Sequence, residues 1–310
     1  MVGMKRDLIS IVDVEKDLIA LLELSQSLKN RSIAGQISEP LKGRSLAMIF
    51  EKPSTRTRVS FEVAMTELGG HALYLSSSDL QLGRGETIAD TARVLSRYVD
   101  GIVYRAFKHE DVLELARHST VPVINALDNV EHPCQILADL LTVKEKKGEM
   151  KGIKLAYVGD GNNVCNSLML GCSLLGIKVT VGCPEDYVPD EHIFETAKRI
   201  AIQYGGGVEV VEDPTLAVKD ADVIYTDVWI SMGAEKETRR REKAFRDYQV
   251  NAELVSAAKN DCIVMHCLPA HRGKEITDDV LDGPRSVVLD QAENRLHAQK
   301  AVLVHLLGGA

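Results

Sequence analysis

The stretch Phe50-Glu51-Lys52-Pro53-Ser54-Thr55-Arg56-Thr57-Arg58 decides how this chain reads. Before it, the apolar run Leu46 to Phe50 reads as a buried parallel strand. After it, Phe61, Ala64, Met65 and Leu68 fall on one face of a helix over Val59 to Leu68. Three hydroxyls and two arginines therefore crowd a strand-to-helix turn. Free N–H groups and the helix dipole favour an anion at such a helix start. Ser54, Thr55 and Thr57 add hydroxyl donors, and Arg56 and Arg58 add planar donors matched to phosphate oxygens. A single Ser-Thr pair would mean only a helix cap with solvated neighbours. Five such groups in five residues point to a small, highly charged anion.

The 310 residues suggest two domains or one large one. A 45% hydrophobic and 26% charged composition is that of an ordinary globular protein. Net charge is −8, which argues against a general nucleic-acid binder, so any basic site is local. Neither a secretory leader after Met1 nor an apolar run of membrane-spanning length is expected. Six cysteines without a Cys-x-x-Cys pair fit a reduced, cytoplasmic protein. Without a His-x-x-x-His pattern, no metal site is expected.

Outward from the opening stretch, Val14 to Leu28 reads as an amphipathic helix with Asp13 as its cap. His71 to Leu75 is the next strand, and Ser76 to Glu86 a long polar loop of the kind that carries function. Thr87 with Asp90 starts a helix. Gly101 to Tyr104 is a strand with Arg105 at its carboxyl end, where ligands collect in open parallel sheets. His109 to His118 reads as a helix and Val121 to Ala126 as a strand. His132 and Gln135 then flank Pro133 at a second helix start. On their own they are weak evidence of a site, since most such residues are only caps or core donors.

The alternation restarts after a charged helix end at 144–149. Ile153 to Val158 is a strand, followed by Gly159-Asp160-Gly161-Asn162-Asn163 and a helix. This imitates part of a dinucleotide fingerprint, but Val164 stands at the third glycine position. Asp222 to Thr226 is a strand ending at Asp227, before Ser231-Met232-Gly233. The charged segment 234–246 reads as a solvated helix or a lid. Cys262 to His266 is a strand leading to Cys267-Leu268-Pro269, and Val287 to Leu289 a last strand. Gln291 to Leu307 is a helix carrying Arg295 near its start. The expected fold is α/β, with two doubly wound domains around central parallel sheets. Residues 1–148 form one, with helix 290–310 packing back on it, and 149–289 the other. The active site is expected in the cleft between them.

Four motifs now stand together in order: Ser54-Thr55-Arg56-Thr57-Arg58, His132-Pro133-Cys134-Gln135, Asp227-x-x-x-Ser231-Met232-Gly233 and His266-Cys267-Leu268-Pro269. The set resembles the ornithine carbamoyltransferases. Its first two motifs are shared with the aspartate carbamoyltransferases, and its last two, with Gln81 to Glu86, look like the ornithine branch. The resemblance implies carbamoyl transfer from carbamoyl phosphate to the side-chain amine of L-ornithine, in arginine biosynthesis or the arginine deiminase route. It implies a phosphate site of Ser54, Thr55, Arg56, Thr57 and Arg105. Arg105, His132 and Thr57 would polarise the carbamoyl oxygen. Gln135 and the carbonyls of Cys267 and Leu268 would hold the carbamoyl nitrogen, with Arg295 near the same substrate. Gln81 would come from a neighbouring subunit, hence a homotrimer or a multiple of trimers. Asn163, Asp227, Ser231 and Met232 would bind ornithine, and Cys267 with Asp227 would orient its amine. Arg105, His132 and Cys267 are the catalytic candidates. The Leu268–Pro269 bond is expected to be cis. No metal, organic cofactor, nucleic acid or membrane is called for. A nicotinamide dehydrogenase and a non-catalytic phosphate or amino-acid sensor are the competing classes.

Overall fold

Alternate residues of a strand face opposite sides of its sheet. In β1 (Ser45–Phe50), Leu46, Met48 and Phe50 point one way and Ala47 and Ile49 the other, and all five are buried. A strand apolar on both faces belongs inside a covered parallel sheet. The computed structural model describes residues 5–36, 38–230 and 235–308. It divides into two units, the first running to Leu141 and resuming at Glu293, the second spanning Thr142–Ala292.

In the first unit, β2 (His71–Ser76), β1, β3 (Gly101–Arg105) and β4 (Val123–Leu127) form a parallel sheet in that order. Its helices are α1 (Leu18–Ile33), α2 (Thr55–Glu67), α3 (Ile88–Leu95), α4 (His109–His118), the first part of α5 (Pro133–Lys147) and most of α12 (Val288–Leu307). Ala47, Ile49, Ile102 and Tyr104 pack with Ala92, Val112 and Leu115 of α3 and α4 on one face. Ser54 caps α2, its hydroxyl accepting the Thr57 N–H at 3.3 Å.

In the second unit the parallel order is β7 (Gly207–Val211), β6 (Lys178–Gly182), β5 (Lys154–Val158), β8 (Val223–Thr226) and β9 (Ile263–His266). Around it lie α6 (Asn163–Ser173), α7 (Glu191–Tyr204), α8 (Pro214–Val218), α9 (Thr238–Ala244), α10 (Ala252–Ser256) and α11 (Asp278–Leu281). Phe245 is fully buried against the rings of Tyr187, Trp229 and Tyr248. Two doubly wound parallel α/β units are the expected fold class. Among the described residues no helix is long and apolar enough to cross a membrane.

Several local expectations change. Asp13 does not cap the first long helix. Its carboxylate accepts the Ile9 and Ser10 N–H groups at a 3₁₀ turn, Ile11–Val14, and α1 starts only at Leu18. The loop after β2 contains two 3₁₀ turns, Ser77–Asp79 and Gln81–Arg84. The expected strand Val287 to Leu289 is absent: Ser286 makes one isolated bridge to Val264, and α12 has begun by Val288. A three-residue apolar run fits either period, and the long amphipathic pattern that follows captures it. From residue 235 the charged segment forms a short turn and α9. Arg241 fastens it, donating to Asp160 Oδ2 at 2.8 Å and the Trp229 carbonyl at 3.0 Å, with its guanidinium over the Tyr187 ring.

The partial dinucleotide fingerprint has a packing explanation. Gly159 has φ +143°, a region other residues rarely enter. A Cβ on Gly161 would lie 2.3 Å from Pro189 N and 2.4 Å from the Val188 carbonyl carbon. Backbone of the same unit therefore fills the close approach that a pyrophosphate would need. Gly161→Ala should lower unfolding stability by about 1–3 kcal/mol, the usual cost of overpacking. Urea titration checks this, and an unchanged midpoint would contradict the packing role.

Candidate active site

The first cluster is built at the carboxyl ends of β1, β3 and β4. Asn125 and Asp128 shape the turn after β4. Asn125 donates to Asp128 Oδ2 at 2.8 Å, and Asp128 Oδ1 accepts the Val130 and Glu131 N–H groups at 2.7 and 2.8 Å. The turn delivers His132 to the start of α5, where its carbonyl accepts the Gln135 N–H at 2.9 Å. Arg295 of α12 donates to Gln135 Oε1 at 2.6 Å and to Thr57 Oγ1 at 3.2 Å. Gln135 in turn donates to Asp139 at 2.8 Å. Thr57, Arg105, His132, Gln135 and Arg295 are all buried.

Burial pushes the His132 imidazole well below its usual range, and the charges of Arg295, Arg105 and Arg56 push it the same way. His132 is thus uncharged at neutral pH, beside three guanidinium groups. A neutral imidazole can still donate one N–H bond, and the guanidinium groups suit an anion. Ser54 and Arg56 are half-buried and Thr55 is exposed, all at the α2 start. Arg58 leaves the group: it donates to Glu62 at 3.0 Å and lies over the Tyr74 ring at 3.8 Å. One arginine of the opening stretch, not two, serves the cluster. Lys52, passed over in the sequence, is buried beside it, with Nζ 4.7 Å from the Phe107 ring centroid. Burial and then the Arg105 charge lower its pKa. Gln81 lies exposed on its 3₁₀ turn, in a different part of the unit's sequence.

A second cluster lies at the carboxyl ends of β5, β8 and β9. Asn162 caps α6, its Oδ1 accepting the Val164 and Cys165 N–H groups at 3.0 and 3.1 Å. Its Nδ2 donates to Asp227 Oδ2 at 2.8 Å. The Cys267 thiol donates to Asp227 Oδ1 at 2.9 Å. Asp227 is buried and Cys267 half-buried. Asn163 opens α6 next to Asn162. Leu268 has φ +56°, and the Leu268–Pro269 bond is cis, as the resemblance implies. Ser231 and Met232 lie outside the described residues. Asn162 was missed as a site-building residue. An Asn just before an apolar helix is an ordinary cap signal, and nothing in the sequence says its amide meets Asp227.

Among the described residues one group offers metal-type donors, Asp227, His266 and Cys267, with ligand atoms within 4.8 Å of one another. Both ring nitrogens of His266 and the Cys267 thiol already make hydrogen bonds within the unit. The group reads as an internal network.

Glu131, next to His132, is a buried acid. Burial pushes its carboxyl from 4.5 up to about 7, against the opposing bonds from Ser10 and the Ile11 N–H. Between those values the folded state holds a proton that the unfolded chain releases, so this group lowers stability as pH rises. Glu131→Gln cannot ionise. Urea unfolding should find the variant close to the parent at about pH 5 and about 1–3 kcal/mol more stable at about pH 8. A pH-independent difference would contradict the assignment.

With this geometry in place, the chain can be compared with known proteins. The family described as aspartate/ornithine carbamoyltransferase, carbamoyl-P binding domain, matches residues 6–145, and the family's Asp/Orn binding domain matches residues 151–306. The anabolic ornithine carbamoyltransferase of Pyrococcus furiosus is 59% identical over 305 residues, 98% of this chain and 97% of that protein. The catabolic ornithine carbamoyltransferase of Thermoplasma acidophilum is 55% identical over 303 residues, 98% of this chain and 99% of that protein. The solved Pyrococcus furiosus ornithine carbamoyltransferase superposes with a TM-score of 0.96 at 59% identity, covering 99% of this chain and 98% of that one. This chain belongs to the aspartate/ornithine carbamoyltransferase family.

Proposed function

We propose that this chain transfers the carbamoyl group of carbamoyl phosphate to the side-chain amine of L-ornithine, giving L-citrulline and phosphate. The observation that carries the reading is the convergence of Arg295, Arg105 and Arg56 on an uncharged His132 beside the α2 start. Ser54, Thr55, Arg56, Thr57 and Arg105 bind the phosphate. The neutral amine attacks the carbamoyl carbon, and a C–N bond forms as the carbonyl oxygen gains negative charge. Arg105, His132 and Thr57 stabilise that charge; in comparable sites one lost donor costs about 3 kcal/mol. The C–O bond to phosphate then breaks, phosphate leaves with its electron pair, and the proton shed by the amine passes to the departing phosphate. Gln135, the Cys267 and Leu268 carbonyls and Arg295 orient the carbamoyl group.

Asn163, Asp227, Ser231 and Met232 bind ornithine, and Cys267 with Asp227 aligns its amine. The bond from the Cys267 thiol to Asp227 supports this division, because it joins two groups that the resemblance assigns to one substrate. No general base is assigned. We take residues 1–148 with 290–310 as the carbamoyl phosphate half and 149–289 as the ornithine half. All six cysteines are free, which fits a reducing cytoplasm. The similar proteins bear both anabolic and catabolic names, so the direction of flux is left open.

The functional test is citrulline formation with ornithine, putrescine, aspartate and acetylornithine as acceptors. Ornithine should be preferred, and activity with none of them would overturn the reading. Arg56→Ala should raise the KM for carbamoyl phosphate by about tenfold or more, and Asp227→Asn should do so chiefly for ornithine. Equal effects of each variant on both KM values would refute the division of labour.

The assembly is a homotrimer or a multiple of trimers in which Gln81 serves a neighbour's site. Its exposure to solvent in the single chain supports this. Mixing impaired Gln81→Ala and Arg56→Ala chains should restore part of the activity in hybrid trimers. Failure to complement, with mixed oligomers confirmed by sedimentation, would argue against a shared site.

A further inference from the structure

The His266-Cys267-Leu268-Pro269 motif contains one residue with no role so far, the histidine. His266 is fully buried at the end of β9. Its N–H donates to Gln291 Oε1 at 2.9 Å, and Gln291 donates to the Tyr225 hydroxyl at 3.0 Å. These bonds hold its backbone to the unit's core. Its Nδ1 accepts the Leu268 N–H at 2.8 Å. Its Nε2 faces Oε1 of Glu275 at 3.2 Å, also fully buried, and that oxygen accepts the His271 N–H as well. An N–H donor on Nδ1 requires a lone pair there, so the hydrogen sits on Nε2 and points at Glu275.

Leu268 needs this support. Its φ of +56° is unfavourable for a branched side chain and persists only where surrounding bonds hold it. Beyond the end of β9 its N–H has left the sheet ladder, and the His266 ring supplies the acceptor. The same turn fixes where Cys267 Sγ lies, 2.9 Å from Asp227 Oδ1.

We propose that His266 is a positioning residue: the bond from Leu268 N–H to its Nδ1 sets the turn that presents the Cys267 thiol to Asp227, and Glu275 locks the ring. The step from thiol placement to turnover rests on the carbamoyl transfer proposed above; the placement itself does not.

Two variants separate the two ring nitrogens. An asparagine amide reaches the position of Nδ1, and a glutamine amide that of Nε2. His266→Asn keeps an acceptor for Leu268 and loses the donor to Glu275, whereas His266→Gln does the reverse. Cys267 is the only cysteine that is not buried, so its alkylation by iodoacetamide reports the turn directly, without any assay of activity. His266→Gln should speed alkylation by about tenfold, and His266→Asn by no more than about threefold. His266→Gln should also raise the KM for ornithine more than that for carbamoyl phosphate. Circular dichroism and urea midpoints establish that each variant is folded. Equal alkylation rates in the two variants, or rates that follow only the loss of stability, would overturn the proposal. If either variant fails to fold, nitrogen NMR of the histidine-labelled parent decides instead. A protonated Nε2 with a bare Nδ1 on His266 supports the proposal, and the opposite tautomer overturns it. An inactive parent with the predicted alkylation pattern would refute the carbamoyl transfer reading and leave this one standing.

Discussion

Where a parallel strand passes into a turn or a helix start, backbone N–H groups lack both ladder and helix partners, and both units depend on how those groups are satisfied. After β1, β4, β5 and β9 the chain uses a side chain close in sequence. Ser54 takes the Thr57 N–H after β1, and Asn125 takes the Leu127 N–H at the end of β4. Asp128 takes two more before α5. Asn162 takes two after β5, and His266 takes one after β9. Polar residues gather at the carboxyl ends of the strands first because the backbone requires acceptors there. The proposed carbamoyl transfer would draw on these same turns.

The two clusters have opposite electrostatic character. In the first unit, Arg105 and Arg295 are buried, Arg56 is half-buried, and they face a histidine kept uncharged. Burying cations is costly, and here part of the demand is met by neutral acceptors, Gln135 Oε1 and Thr57 Oγ1, which take the Arg295 N–H groups. An arriving phosphate would supply the countercharge. In the second unit the buried charge is an acid, Asp227, held by an amide and a thiol. That environment suits a cationic or amine-bearing substrate.

Much of this was legible in the residues. Parallel strands apolar on both faces, capped helices and alternating periods yield the fold class, because each is a local consequence of backbone geometry and burial. The motifs His132 to Gln135, Asp227 to Gly233 and His266 to Pro269 gained meaning only through the family resemblance. The limits follow from physics too. Val287 to Leu289 reads as a strand in isolation but joins a helix, since three apolar residues carry no period. Arg58 sits in the same five-residue stretch as Arg56, yet Glu62, one helical turn on, and the Tyr74 ring of the neighbouring strand draw it off.

By itself, the sequence determined the two parallel-sheet units, the strand-to-helix turn over Ser54 to Arg58, and the family that the chain resembles. The first two rest on neighbours within a few residues, whose preferences the backbone transmits directly, and the last on the resemblance carried by four motifs in order. Only the tertiary structure decided that Arg295 holds Gln135 and Thr57, that Asn162 and Cys267 share Asp227, and that His266 carries the Leu268 N–H. It also decided that Gly161 is there for Val188 and Pro189. Such pairings depend on where separate strands end in space. That is set by packing of the whole unit, which no local pattern of residues encodes.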